Sequence, residues 1–376
     1  MGWRRWVAER LAGDAWRAET ERRVQEALHA ADDGDWRPLA AAGKTPPWQE
    51  VRASIERVEA ACRTNPLAAR LVGMTTDFVV GAGARVEGHP FALRFWHDPL
   101  NAMDRRIHRW CDELSRAGEL FLVLSRNPVT RMSYVREVPA SRIDAVETDP
   151  DDLERTVRYH QLTDSPEGRW WPAEGAGVEA PDDEPDQVMV HCCINRQVGE
   201  VRGRSDLAQV VTWLDRYDLW LEDRVRINRY KGAYLWHVQV RSPLPGQLEQ
   251  RRAQYSRVPQ SGSIIVTDAN EEWRAVQPQI AADDVEADGK AIRLMVAAGV
   301  GVPLHYLAEG ESANRATARE MGTATFRHFQ HRQHVFQGIL EDVVRAAGRR
   351  AGLGEIAVRV RLDPVPTGDA EGEEGA

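Results

Sequence analysis

Residues 187–231 read QVMVHCCINRQVGEVRGRSDLAQVVTWLDRYDLWLEDRVRINRYK, and the order of elements in this stretch decides the fold. Gln187–Cys193 is a short, largely apolar run that predicts a buried strand. Asn195–Arg204 is polar and carries Gly199 and Gly203, the composition of a loop. Ser205 then caps a long helix in which Leu207, Val210, Val211, Leu214, Leu221 and Val225 mark one face, and Gly232 ends it. The opposite face mixes Arg216, Arg224, Arg226 and Arg229 with Asp215, Asp218, Glu222 and Asp223.

Towards the N-terminus, Pro46-Pro47 opens a helical region. Val51, Ile55, Val58, Ala61, Leu67, Leu71 and Val72 recur at helical spacing, and Asn65-Pro66 breaks them into two helices meeting at a corner. Phe78-Val79-Val80 runs into Gly81-Ala82-Gly83; with no third glycine in register and a strand-like segment behind it, this reads as a glycine-bearing bulge rather than a dinucleotide site. Residues 101–117 form an amphipathic helix ending at Gly118. Runs at 119–125, 132–138, 143–148 and 157–162, separated by Asn127-Pro128 and Asp149-Pro150, predict an antiparallel meander. Residues 164–186 are rich in Pro, Gly, Asp and Glu and read as an exposed loop. Residues 1–45 are an Arg- and Ala-rich helical arm, either a subunit-clasping extension or a solvated terminus.

Towards the C-terminus, 233–240 alternates as a strand, 248–257 holds a short helix, and 263–267 with 273–276 make a hairpin turning at Asp268-Ala269-Asn270. A second helix covers 283–298 and closes at Gly299. Gly301-Val302-Pro303 starts a loop of small and polar residues, and a long helix runs from about 316 to 345. The terminal PVPTGDAEGEEGA is acidic and of low complexity, and 351–376 is expected to be a largely disordered tail.

The chain has 376 residues, a formal net charge of −9, 42% hydrophobic and 28% charged residues, which excludes a wholly disordered protein. A duplex-coating protein would be basic, because tight phosphate binding exchanges counterions for Lys and Arg; an acidic wall past which DNA slides remains compatible. Cys62, Cys111, Cys192 and Cys193 form no CxxC spacing, so neither a zinc knuckle nor a disulfide framework is expected. The leading MGWRRWVAERL is charged where a signal peptide has an apolar core, and no apolar run is long enough to span a bilayer. No GxxxxGK[ST] run is present, and no cofactor is expected.

The ordered set of elements resembles the portal (head–tail connector) proteins of tailed bacteriophages. Val188–His191 followed by Arg202-Gly203-Arg204-Ser205-Asp206-Leu207 looks like that family's strand, glycine-x-serine turn and first stem helix. Ile264–Val266 with Trp273–Val276 resembles its clip hairpin, and VAAGVGVPLHYL at 296–307 resembles its helix ending in a Val-Pro loop. Glu309–Arg327, with Ser312-Ala313-Asn314-Arg315-Ala316, resembles the internal loop and the start of the long helix behind it. The resemblance covers roughly 48–350.

It implies an α+β subunit that assembles into a ring, usually a dodecamer: arm 1–47, α/β wing 48–205, stem helix 206–231, small α/β clip 232–280, second stem helix 281–299, channel loop 300–315, long helix and crown base 316–350, and tail 351–376. The implied role is structural and not enzymatic, a channel at a capsid vertex through which double-stranded DNA is packaged and ejected without sequence reading. Implied partners are the terminase large subunit, a head–tail adaptor, and major capsid and scaffold proteins, with assembly in the host cytoplasm and no membrane.

The residues that would carry this fall in three groups. The channel loop offers His305, Tyr306, Glu309, Gly310, Ser312, Asn314 and Arg315, small and polar groups suited to passing phosphate contacts. The stem offers Arg216, Glu222, Arg224, Arg226, Arg229 and Lys231; an ordinary solvated helix face accounts for the same pattern. Trp236, Ile264, Val266 and Trp273 are candidate clip and subunit-interface positions, or simply core. His328, His331 and His334 recur three apart without a carboxylate or thiol at ligand spacing, which favours packing over a metal. The alternatives are a ring-forming capsid or tail component that threads no DNA, and a hydrolase using His191 and Cys192.

Overall fold

The computed structural model describes residues 45–176, 185–232, 235–241, 249–250, 253, 271–276, 285–307 and 315–365. They divide into two compact units: a body, up to Val211 and again from Gly299, and an arm, Thr212–Ala298.

In the body, α1 (Trp48–Thr64) and α2 (Pro66–Val79) meet at the expected corner. Asn65 Oδ1 accepts from the backbone N–H groups of Leu67 and Ala68 at 2.8 and 3.1 Å, and Pro66 occupies the first helical position, where no N–H is needed. Gly81 (φ 59°) and Gly83 (φ 139°) turn the chain into β1 (Ala84–Gly88). Next comes α3 (Pro90–His97), a helix absent from the sequence expectations; His89 Nδ1 accepts from Phe91 N–H and caps it. Then α4 (Met103–Ala117) ends at Gly118 in the left-handed conformation (φ 82°).

Two three-stranded antiparallel sheets follow. One has the order β3–β2–β7, with β2 (Glu119–Arg126) between β3 (Ser133–Val138) and β7 (Gln187–Cys193). The other has the order β4–β5–β6: Ile143–Asp149, Asp152–Gln161 and Arg169–Pro172. Phe121, Val123, Ile143, Tyr159, Trp171 and Met189 from both sheets share one apolar core with Ile55 of α1. β6 lies inside the stretch expected to be an exposed loop. Trp171 explains the difference: it is buried, its Nε1–H donates to Gln161 Oε1 at 2.7 Å, and the Arg169 guanidinium lies 3.6 Å above its ring.

The arm comprises α5 (Val211–Gly232), the antiparallel pair β8 (Leu235–Val240) and β9 (Glu271–Val276), and α6 (Val285–Gly299). Back in the body, a short 3-10 turn (Leu304–Leu307) precedes α7 (Arg315–Arg350), about 54 Å long at 1.5 Å per residue. Phe329, Phe336, Leu340, Val343, Val344 and Ala347 line the buried side of α7, which packs on α2, α3 and β10 (Val358–Leu362). β10 pairs with β1 and corrects the expectation of a largely disordered tail from 351 onward: Val358, Val360 and Leu362 alternate inward between exposed Arg359 and Arg361.

Candidate functional site

The glycine–serine turn of the opening stretch is the root of the arm, and each of its residues is committed to the body. Gly203 passes so close to Gly118 that a Cβ on Gly203 would strike the Gly118 carbonyl oxygen, and a Cβ on Gly118 would strike the Arg204 backbone. Ser205 Oγ donates to the Ser115 carbonyl at 2.8 Å and accepts from Leu207 N–H at 3.0 Å. Asp206 accepts from Asn195 Nδ2 at 2.8 Å and from the Arg332 guanidinium of α7. Its own N–H donates to the Ser115 carbonyl at 3.1 Å.

These bonds fix the backbone ahead of the helix. Ser205 therefore caps a turn, and α5 begins at Val211 instead of at 206. The far end of the arm returns to the same place, since a Cβ on Gly299 would collide with Val210 Cγ1. Beyond it, Thr325 Oγ1 donates to the Gly301 carbonyl at 3.3 Å, so one stretch of α7 holds both the outgoing and the returning chain.

Under the root lies a buried ion pair that sequence reasoning did not find. Glu119, the first residue of β2, is 0% exposed and accepts three bonds from Arg202: Nε–H at 2.9 and 3.0 Å and Nη2–H at 2.5 Å. Gly203 N–H donates to the same carboxylate at 3.2 Å, and His191 Nε2 lies 3.1 Å from it. Arg202 also donates to the carbonyls of Ile143 (2.7 Å) and Ala140 (3.3 Å). Burial pushes the Glu119 carboxyl upward, but the Arg202 charge and the His191 bond outweigh it and hold the group below its ordinary range. The available signal was local: a lone carboxylate directly after a helix-ending glycine, leading a run of five apolar residues.

The expected stem residues occupy α5, within the arm. Arg216, Glu222, Arg226 and Arg229 are exposed and Arg224 is half-buried. Arg226 pairs along the helix with Glu222 (3.4 Å) and Asp223 (3.6 Å), and Arg216 lies 4.5 Å from the centre of the Trp213 ring. The Lys231 side chain lies outside the described residues. Of the expected apolar stripe, Leu207, Val210, Val211 and Leu214 are buried, but Leu221 and Val225 are 40% and 51% exposed, which corrects that part of the assignment. Leu219 on α5 and Leu294 and Met295 on α6 are exposed as well.

Of the channel-loop residues, His305 and Tyr306 fall in the 3-10 turn, half-buried, with the Tyr306 ring edge-on to Phe78 at 6.0 Å. Glu309, Gly310, Ser312 and Asn314 lie outside the described residues, and Arg315 opens α7 with its side chain outside them. Ile264 and Val266 lie outside too, as do the short helix expected at 248–257 in all but three positions and most of the N-terminal arm. Trp273 stands opposite Val238 of β8 and Trp236 opposite Ala275 in the β8–β9 register; their side chains are not among those described.

The region proposed for a hydrolase is not set up for nucleophilic chemistry. Burial pushes the Cys192 thiol up to about 12 and raises Cys193, so both are protonated at neutral pH. The His191 ring is stacked on Phe121 at 4.3 Å and bonded to Glu119. Burial, with the Arg332 charge beside it, lowers His328. Among the described residues no three His, Cys, Asp or Glu converge to hold a metal ion, and no helix is long and apolar enough to cross a membrane.

No protein-family model matches the sequence, and no curated protein is significantly similar to it. Solved structures do share its fold. A chain in the virion of a native gene transfer agent particle aligns with TM-score 0.59 at 13% identity, over 85% of this chain and 87% of that one. A chain of the neck of the empty gene transfer agent particle, computed with C6 symmetry, gives 0.59 at 13% over 84% and 86%. A chain of the native particle's neck, computed with C12 symmetry, gives 0.56 at 15% over the same shares. The fold of this chain is thus shared with chains of gene transfer agent particles.

Proposed function

We propose that this chain is the subunit of a portal-type ring at a capsid vertex, a conduit through which double-stranded DNA is packaged and ejected. Stems lined by mixed charge would let the duplex slide without a deep electrostatic well. The ring would dock the terminase large subunit during filling and a head–tail adaptor afterwards, among major capsid and scaffold proteins, in particles assembled in the host cytoplasm. The observation that carries this is the exposed apolar set on α5 and α6: Leu219, Leu221, Val225, Leu294 and Met295. On a monomer these side chains face water, at a cost of roughly 25 cal/mol per Å² of apolar surface; neighbouring copies would cover them. The shared fold with virion neck chains supports the same reading.

Light scattering across a range of concentrations and negative-stain imaging of the full chain test it. A closed ring with a central hole, a dodecamer if the neck symmetry carries over, is expected. A monomer or dimer at every concentration would refute it. Deleting residues 308–314 is expected to block DNA packaging or retention while rings still form. Normal packaging by that deletion would refute the role of the loop.

A further inference from the structure

We propose that His160 is a proton-operated clamp that holds the turn between β5 and β6 and, through Trp170, the wall of an apolar groove on the outer face of that sheet. Both ring nitrogens of His160 meet acceptors: Nδ1 lies 2.6 Å from Asp144 Oδ1 on β4, and Nε2 lies 3.1 Å from the Glu167 carbonyl in the turn. A neutral imidazole carries one N–H and satisfies only one of them; the imidazolium satisfies both. The turn is built around the ring. Gly168 is left-handed (φ 61°), and a Cβ there would run into His160 Nε2.

Asp144 faces the His160 ring from β4, and the Arg158 guanidinium lies 4.2 Å from the Trp170 ring centre, held by Glu147 at 2.5 Å. From β6, Trp170 itself lies 4.7 Å from the His160 ring. The Glu167 carbonyl bond raises His160 above its ordinary value; burial opposes it, and the Asp144 carboxylate adds to the rise. The sign follows: the clamp is fully formed below the ordinary histidine value and is lost as pH rises through the raised one.

When it opens, the carbonyl bond is the one to break, because the carboxylate retains the remaining N–H. The turn at 162–168 then loosens, and Trp170 loses a cationic neighbour. Val157, Trp170, Pro172 and Ala176 line the groove, about 410 Å³, with Asp149, Arg155 and Arg158 at its rim. Val157 and Trp170 are already 40% and 41% exposed, so release changes a surface that solvent and partners reach.

Hydrogen exchange of the peptide spanning residues 160–172, corrected for intrinsic rates, tests this between about pH 5.5 and 8.5 in the assembled protein. Protection at Gly168, whose N–H donates to the Ser165 carbonyl at 3.1 Å, is expected to fall across that range. The fall should be about fivefold, the effect of one lost hydrogen bond. In His160→Gln protection should be pH-independent, and in Asp144→Asn the fall should move to lower pH. Constant protection in the parent would overturn the proposal, as would an unchanged pH-dependent fall in His160→Gln. Should that variant fail to fold, an unshifted midpoint in Asp144→Asn would overturn it alone.

Discussion

Replacing Glu119 by Gln keeps the shape of the side chain and removes its charge, leaving Arg202 a cation whose side chain is 6% exposed. Breaking one partner of a buried pair costs about 3–5 kcal/mol. Arg202 keeps the carbonyls of Ile143 and Ala140, and Gln still offers a carbonyl oxygen, which places the variant at the lower end, about 3 kcal/mol. At roughly 2–4 °C per kcal/mol for a body of this size, the midpoint should fall by about 6–12 °C. The double variant Glu119→Gln/Arg202→Met removes both charges and should recover part of the loss, leaving about 2 kcal/mol for the two carbonyls deprived of a donor. Urea titration followed by tryptophan fluorescence measures all three proteins, the Arg202→Met single variant completing the cycle. The reasoning fails if Glu119→Gln lies within about 0.5 kcal/mol of the parent, or if the double variant is as unstable as the sum of the singles.

Other perturbations probe the same framework. Because the folded Glu119 carboxyl titrates below its ordinary value, its contribution is present above about pH 4.3 and disappears as pH falls through the folded value. An acid titration of Glu119→Gln should therefore be flatter than that of the parent, and equal slopes would contradict the assignment. Gly203→Ala has no room at the Gly118 carbonyl and should cost about 2 kcal/mol or more, with exchange increased at residues 203–211; a neutral result would refute the close approach. Leu221→Asp with Val225→Asp should leave the melting of the body within about 0.5 kcal/mol while abolishing the proposed rings on negative-stain grids. Persistence of rings at the parent's concentration would remove the apolar arm as their basis.

What the sequence made legible follows from range. The Asn65-Pro66 corner, the helix end at Gly118 and the long C-terminal helix rest on signals within a few residues, the strand at 187–193 on an almost unbroken apolar run, and all stand as read. α3 was hidden because its cap is His89 and its apolar residues crowd into two turns, too few to show a period. β6 was masked by the Pro, Gly and acidic residues around it. β10 carried a plain alternation, VRVRL, but borders a low-complexity terminus that drew the assignment with it.

The site was less legible than the fold. Glu119–Arg202 joins residues 83 apart and Asp206–Arg332 residues 126 apart, and a charge gives no sign in the sequence of which distant partner will neutralise it. The exposure of Leu221 and Val225 is equally opaque, since an apolar stripe looks the same whether its cover is the chain's own body or another molecule.

The contact of Val210 with Gly299 has a consequence for how such chains diverge. A segment that departs and returns at van der Waals distance has the topology of an insertion, so a closed body persists if the segment is lengthened, shortened or exchanged. Residues 212–298 can then change without opening the body, whose closure at this point rests on Gly118, Glu119, Arg202 and Gly203. A foreign segment grafted between Val211 and Gly299 is expected to leave this body folded.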